Sequence, residues 1–320
     1  MVDPRLDKAQ GCLVGLAVGD ALGGPLEFMS AAQIRARYGG PVRDMVGGGW
    51  LSLRPGEFTD DTQMALCIAE SIAACRGFDM PDIARRFVAW YHSHPKDIGN
   101  ITRSALSRLA RGVPWQEAGE QAHRESGGRS AGNGSVMRCA PIALLDRNDP
   151  ERLIRHSMDS SAVTHWDRRA TVGAAALNLA IAGLLQGLPR PEAVTQAADR
   201  VAGLNEDVCA VLRRKLVDAG QVPICHSDCC EESPLDALKP TGYVLDTLEA
   251  AFACLLQVDG FEETLVAVVN LGEDADTVGA VCGALAGAAY GLSAIPARWL
   301  DALEDKERLI ALAAAIDALA

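Results

Sequence analysis

The sequence is poor in aromatics. Phe, Trp and Tyr together make 5% of 320 residues, although hydrophobic residues make 49%. Ala, Leu, Val and Gly supply the apolar mass, which favours closely packed helices over an aromatic-filled β-sandwich. Basic runs are missing too, and the net charge is −12. Such a chain repels nucleic-acid phosphates, which argues against nucleic-acid binding as the main function. The charged segment Met1 to Gln10 has no apolar core of a signal peptide. The longest apolar stretch, Ala170 to Leu185, contains Thr171 and Asn178 and falls short of the ~20 residues of a membrane span, so it reads as a buried core helix. Neither GxxxxGK[ST] nor GxGxxG occurs between a strand and a helix.

Ten cysteines are present, but they are scattered. Most sit in apolar helical contexts, where a free thiol acts as a small hydrophobe. A chain this long needs no disulfide staples, so a reducing cytoplasm is expected. The cluster Cys225-His226-Ser227-Asp228-Cys229-Cys230 is the exception. It offers zinc ligands, but the second ligand pair of a zinc module is missing, and a polar loop is the simpler reading.

Helical periodicity dominates. Helices are expected over residues 9–22, 59–75, 81–93, 101–111, 150–159, 166–187, 191–203, 205–219, 242–257, 261–271, 277–290, 296–303 and 306–319. Long loops are expected over 39–58, 125–135 and 222–241, with Gly47, Gly48 and Gly49 placed to hinge a lid. No internal repeat and no linker divides the chain.

The strongest local signal is a pair of acidic strings. Thr59-Asp60-Asp61-Thr62 and Asp274-Ala275-Asp276-Thr277 each open an Ala-rich helix. Either string alone reads equally well as an N-cap. Together, four carboxylates and their threonine hydroxyls make a hard-oxygen set suited to Mg²⁺ or Mn²⁺. Asp274 and Asp276 would diverge by about 200° on a helix, so they converge only if the segment is still a turn. The second string also matches the nucleophile motif of haloacid-dehalogenase-type phosphatases. Too little chain follows it for the βαβ units that motif needs. The Asp-Asp-x-x-Asp string of helical isoprenoid synthases lacks its third carboxylate here.

In order along the chain stand GLAVGDALG (Gly15 to Gly23), PLEF (Pro25 to Phe28), GGGW (Gly47 to Trp50), FTDDT (Phe58 to Thr62), DIGN (Asp97 to Asn100), GNGSVMR (Gly132 to Arg138), Thr164-His165, Gly242-Tyr243 and NLGEDADT (Asn270 to Thr277). With these motifs the sequence resembles the ADP-ribosylglycohydrolase family over nearly its whole length, and in particular its dinitrogenase-reductase-activating and ADP-ribosylarginine hydrolase branch. The resemblance implies an all-α fold, a single multi-helix orthogonal bundle spanning 1–320, with a binuclear Mg²⁺ or Mn²⁺ centre. It implies metal ligation by Thr59, Asp60, Asp61, Asp274, Asp276 and Thr277, and catalysis by Asp97 with Glu27. Ligand contacts would come from Asn100, Gly132, Asn133, Gly134, Ser135, Met137, His165 and Tyr243, with the 132–137 loop on the diphosphate and Tyr243 stacking on adenine. The implied partner is an ADP-ribosylated protein, the implied product is ADP-ribose, and the chain is expected to be a monomer. Arginine is the expected linkage. The alternatives are an O-linked (serine) hydrolase, a non-catalytic ADP-ribose or partner binder on the same fold, and a metal-dependent phosphatase.

Taken without the resemblance, several of these residues have plainer readings. Asp97 can cap the next helix, His165 can be a satisfied core histidine, Tyr243 a packing residue at a helix start, and Glu27 a surface charge after a turn.

Overall fold

A computed structural model describes residues 3–221 and 234–320. The Cys225–Cys230 cluster and most of the expected 222–241 loop therefore lie outside the described residues. Among those described, the only β-pairing is three isolated bridges. The helices are α1 (Pro4–Gly23), α2 (Ala31–Tyr38), α3 (Asp60–Cys75), α4 (Met80–His92), α5 (Asn100–Ala110), α6 (Trp115–Glu125), α7 (Ala140–Asp146), α8 (Pro150–Ala162), α9 (Arg168–Leu185), α10 (Arg190–Val201), α11 (Glu206–Gln221), α12 (Val244–Gln257), α13 (Phe261–Val269), α14 (Ala275–Tyr290), α15 (Ala297–Ala302) and α16 (Lys306–Asp317). The all-α fold class expected from the sequence is the one observed.

Three of these helices form the centre. From Gly11 to Gly23 in α1, from Ala170 to Leu185 in α9 and from Ala275 to Ala288 in α14, every residue is buried. A helix apolar on all sides belongs inside a large core rather than on its surface. The 170–185 stretch is that core helix, and among the described residues no helix is long and apolar enough to cross a membrane.

Helices α1 and α14 touch backbone to backbone. Gly11, Gly15, Gly19 and Gly23 meet Gly287, Gly283, Gly279 and Ala275 in antiparallel order. A Cβ at any of these glycines would collide with a carbonyl of the other helix. Removing the side chains lets the axes approach and fixes their register, the logic of small residues spaced four apart. The C-terminal end of α1 is thereby set against the N-terminal end of α14, which carries Asp276.

Three helices were not expected. α2 buries only Ile34, so its apolar period is weak, and a reciprocal cap starts it. The Ser30 hydroxyl accepts from Gln33 N at 3.3 Å, while Gln33 Oε1 accepts from Ser30 N at 2.7 Å. α6 buries only Ala118, Gly119 and Ala122, residues too small to stand out. α7 is short and buried throughout, so it has no polar face to reveal a period.

Candidate metal centre and active-site cleft

The end of the glycine contact delivers Asp20 to the base of the first acidic string. Asp20 is fully buried. Its carboxylate accepts from Thr59 N at 2.9 Å, Thr59 Oγ1 at 2.9 Å, Thr62 N at 3.0 Å and Thr62 Oγ1 at 2.6 Å. The first N–H groups of α3 have no partner within their own helix, and Asp20 fills that role from another element. Burial pushes Asp20 up to about 6, and these hydrogen bonds restrain the rise.

Above this base opens a cavity of about 560 Å³, lined by seven carboxylates: Glu27, Asp60, Asp61, Asp97, Glu273, Asp274 and Asp276. Thr277, Asn100, Gly132, Asn133, Gly134, Met137 and His165 line it too. Among the described residues, no Lys or Arg does. Carboxylate oxygens of Glu27, Asp97 and Asp276 lie within 4.8 Å of one another. The structure thus draws the two carboxylates expected to be catalytic into one group with an expected metal ligand. Asp274 is the N-cap of α14, outside the helix, and this turn lets it face the same cavity as Asp276. Its Oδ2 accepts from Asn133 Nδ2 at 2.7 Å.

The crowding is visible in the proton affinities. Burial, then the neighbouring carboxylates, push Asp60, Asp61 and Asp276 well above the carboxylate range. Asp97 is raised, chiefly by burial, and Glu27 is pushed up to about 8. Asp61 Oδ1 is buried with no hydrogen-bonding partner among the described residues. An orphaned carboxylate oxygen among like charges suits a hard divalent cation, and the residues present fit one.

The far end of the cleft is built differently. Gly132 pairs with Tyr243, Asn133 N donates to Gly242 O at 3.1 Å, and Val244 N donates to Ala131 O at 3.0 Å. His165 stands behind this loop. A Cβ on Gly134 would lie 2.8 Å from its Cε1, and one on Gly132 would lie 3.2 Å from its Nε2, so both glycines let the loop sit on the ring. Thr164 Oγ1 accepts from Arg138 Nη2 at 2.7 Å and lies 2.8 Å from His165 Nδ1. Burial, and then the charge of Arg138, hold His165 down at about 3, so the ring is neutral.

Three expected site residues turn away from the cleft. Thr59 directs its hydroxyl to Asp20 and to Asp61 Oδ2, at 3.1 Å from the latter. Ser135 Oγ accepts from Ser161 Oγ at 2.8 Å. The Tyr243 hydroxyl accepts from Arg169 Nη1 at 3.2 Å, with the guanidinium carbon 5.6 Å from its ring centre, while Thr241 and Gly242 line the cleft in its place.

Asp20, Arg138 and Trp50 fall inside the motifs quoted from the sequence, but none of them was given a role there. Asp20 had a signal, a lone charge inside an apolar helix. Arg138 is buried with its guanidinium 4.7 Å from the Phe87 ring centre, and burial brings it down to about 10. Trp50 Nε1 donates to Glu27 Oε2 at 2.5 Å, a contact between residues 23 apart that no local pattern announces.

Comparison with known proteins agrees with this geometry. The family model described as ADP-ribosylglycohydrolase matches residues 1–320. The ADP-ribosylarginine hydrolase Tri1 of Serratia proteamaculans (strain 568) is 37% identical over 96% of this chain and 78% of its own. The ADP-ribosyl-[dinitrogen reductase] glycohydrolase of Rhodospirillum rubrum is 34% identical over 94% of this chain and 91% of its own. A solved structure titled ADP-ribosylglycohydrolase-related protein complex superposes with a TM-score of 0.80 at 38% identity, covering 98% of both chains. The chain is a glycosidase-type hydrolase and belongs to the ADP-ribosylglycohydrolase family.

Proposed function

We propose that the protein hydrolyses the N-glycosidic bond between ADP-ribose and an arginine side chain of a modified protein, using two divalent cations, Mg²⁺ or Mn²⁺. The observation that carries this reading is the Glu27, Asp97 and Asp276 group, within 4.8 Å, in a cleft that no Lys or Arg among the described residues lines. The names of two relatives at 37% and 35% identity, both ADP-ribosylarginine hydrolases, favour arginine as the linkage.

In this reading Asp60, Asp61, Asp274, Asp276 and the Thr277 hydroxyl would hold the cations, while the Thr59 hydroxyl steadies Asp61 from behind. When bound, such ions supply Lewis acidity toward ribose hydroxyls and water. Breaking the bond from the ribose C1″ to the guanidine nitrogen develops oxocarbenium character, which the surrounding carboxylates stabilise. Asp97 takes the proton from the attacking water, whose oxygen bonds to C1″ as the guanidine leaves with the electron pair. A carboxylate whose proton affinity is raised is better matched to neutral pH as a base, and burial raises Asp97. Backbone N–H groups of the Gly132–Ser135 loop hold the diphosphate, with the neutral His165 ring packed against that loop. Asn100 and Met137, which line the cleft, position the nucleotide. The described cysteines are all free, which fits a cytoplasmic enzyme.

The test is release of ADP-ribose from an ADP-ribosyl-arginine peptide with Mg²⁺ or Mn²⁺, beside the serine-linked equivalent. Release from serine alone would replace the linkage while keeping the reaction class. Release from neither, with ADP-ribose still bound, would make the chain a binding protein.

A further inference from the structure

Two large rings stand in solvent at the mouth of the cleft. Phe28 is 69% exposed and Trp50 is 51% exposed, and both line the cavity beside Glu27. Their centroids are 5.5 Å apart with the planes inclined at 44°. Each ring would gain by burial, yet each is fixed where it cannot bury itself. Phe28 has φ 62, a backbone conformation strained for a bulky residue. Hydrogen bonds hold it there, from Phe28 N to Glu273 O at 2.7 Å and from Glu273 N to Met29 O at 2.8 Å. Trp50 rides a closed turn. Gly48 and Leu53 exchange bonds of 2.7 and 2.8 Å around it, and Gly49 sits so close to Pro25 that a Cβ would lie 2.9 Å from Pro25 Cα. The glycines expected to hinge a lid form this turn. The indole N–H is spent on Glu27, which leaves the ring itself for a ligand.

The carboxylates line the same cavity as these two exposed rings, so a group attached to the bond they attack lies within reach of Phe28 and Trp50. A ribosylated arginine presents a planar cation there, suited both to an aromatic face and to a negatively charged cleft. A ribosylated serine presents neither charge nor plane. Resting on the arginine reading above, we propose that Phe28 and Trp50 are specificity-determining residues that clamp the guanidinium of the modified arginine and favour it over a hydroxyl-linked substrate.

Phe28 is the residue to change, since a Trp50 substitution would also release Glu27. Steady-state kinetics would compare the wild type, Phe28→Leu and Phe28→Tyr on arginine-linked and serine-linked ADP-ribosyl peptides, together with inhibition by ADP-ribose. Phe28→Leu is expected to raise KM for the arginine-linked peptide by about three- to thirtyfold. ADP-ribose should inhibit it as it does the wild type, and Phe28→Tyr should restore KM. An unchanged KM, or an equal loss for ADP-ribose and both peptides, overturns the clamp and leaves the proposed activity standing. A wild type active on the serine linkage alone overturns both the arginine reading and the clamp's ligand.

Discussion

Asp20 holds Thr59 twice through one oxygen: its Oδ1 accepts the Thr59 backbone N–H and the Thr59 hydroxyl, both at 2.9 Å. The carboxylate belongs to α1 and the threonine begins α3, so a single buried charge ties the first acidic string to the central helix. Asp20→Asn keeps the shape but replaces an accepting oxygen with a donor that faces two other donors. Hydrogen bonds to a charged group contribute roughly 1.5–3 kcal/mol each, and not all four are lost. The variant is expected to lose about 3 kcal/mol in urea unfolding. Its Mn²⁺ affinity by calorimetry should fall too, because Asp60 and Asp61 follow Thr59. Full stability with normal Mn²⁺ binding would show that Asp20 does not organise the site.

The crowded carboxylates make the metal-free protein sensitive to base. Glu27 is pushed up to about 8 from an ordinary 4.5, and Asp20 up to about 6 from 3.8. Over those intervals the folded protein holds more protons than the unfolded chain, so stability falls as pH rises through them. His165, held down at about 3, acts in the opposite sense, but only below its ordinary 6.5. Between pH 6.5 and 8 the carboxylate effect therefore stands alone. With a chelator present, Tm should fall from pH 6.5 to 8. Saturating Mg²⁺ or Mn²⁺ should raise Tm at both, and more at pH 8. A chelated protein whose Tm is flat or rising over this range would contradict the reading.

The fold class and the long core helices were legible because they rest on composition and period, which are local properties. The acidic strings were legible for a related reason: at a helix start, an Asp and its neighbours share one short segment. The grouping of Glu27 and Asp97 with Asp276 was not legible from local physics, since three distant segments supply it. The resemblance named Glu27 and Asp97 as catalytic, and the structure adds their closeness to Asp276. Tyr243 illustrates the limit. It was expected to stack on adenine, but its pairing with Gly132 and its hydroxyl's engagement with Arg169 depend on where distant segments and α9 end up. α2 carried a readable cap at Ser30 and Gln33, and its single buried residue hid it.

The contact between α1 and α14 makes opposite predictions for two glycines in helices. Alanine is the better helix former by about 1 kcal/mol, so propensity alone favours either replacement. Among the described residues, none comes within 4 Å of a new Cβ at Gly220 in α11, and Gly220→Ala should stabilise by up to about 1 kcal/mol. Gly283 faces the carbonyl of Gly15, and backbone on both sides cannot yield as a side chain would. Overpacking costs typically about 1–3 kcal/mol, and a backbone collision lies at the upper end. Gly283→Ala should therefore lower stability by about 2 kcal/mol after its propensity gain. Thermal melts of the two variants give the signs directly. A stabilised Gly283→Ala would mean that the helices are not in backbone contact.

Asp97 has two candidate employments, and they separate cleanly. Its carboxylate shares a 4.8 Å group with Glu27 and Asp276, which admits a metal-ligand role as well as that of a base. Asp97→Asn keeps an oxygen donor of similar reach but removes the proton acceptor. If Asp97 is the base, kcat should drop by about 10²- to 10⁴-fold. Mn²⁺ affinity and KM should then stay near wild type, because the interaction lost exists only in the transition state. If Asp97 is chiefly a ligand, Mn²⁺ affinity should weaken together with kcat, and excess Mn²⁺ should recover part of the rate. Asp60→Asn serves as the reference for that second pattern, since Asp60 is the proposed ligand at the start of α3. The base assignment predicts that the two variants differ in calorimetric Mn²⁺ binding while both lose turnover, and identical binding defects would refute it.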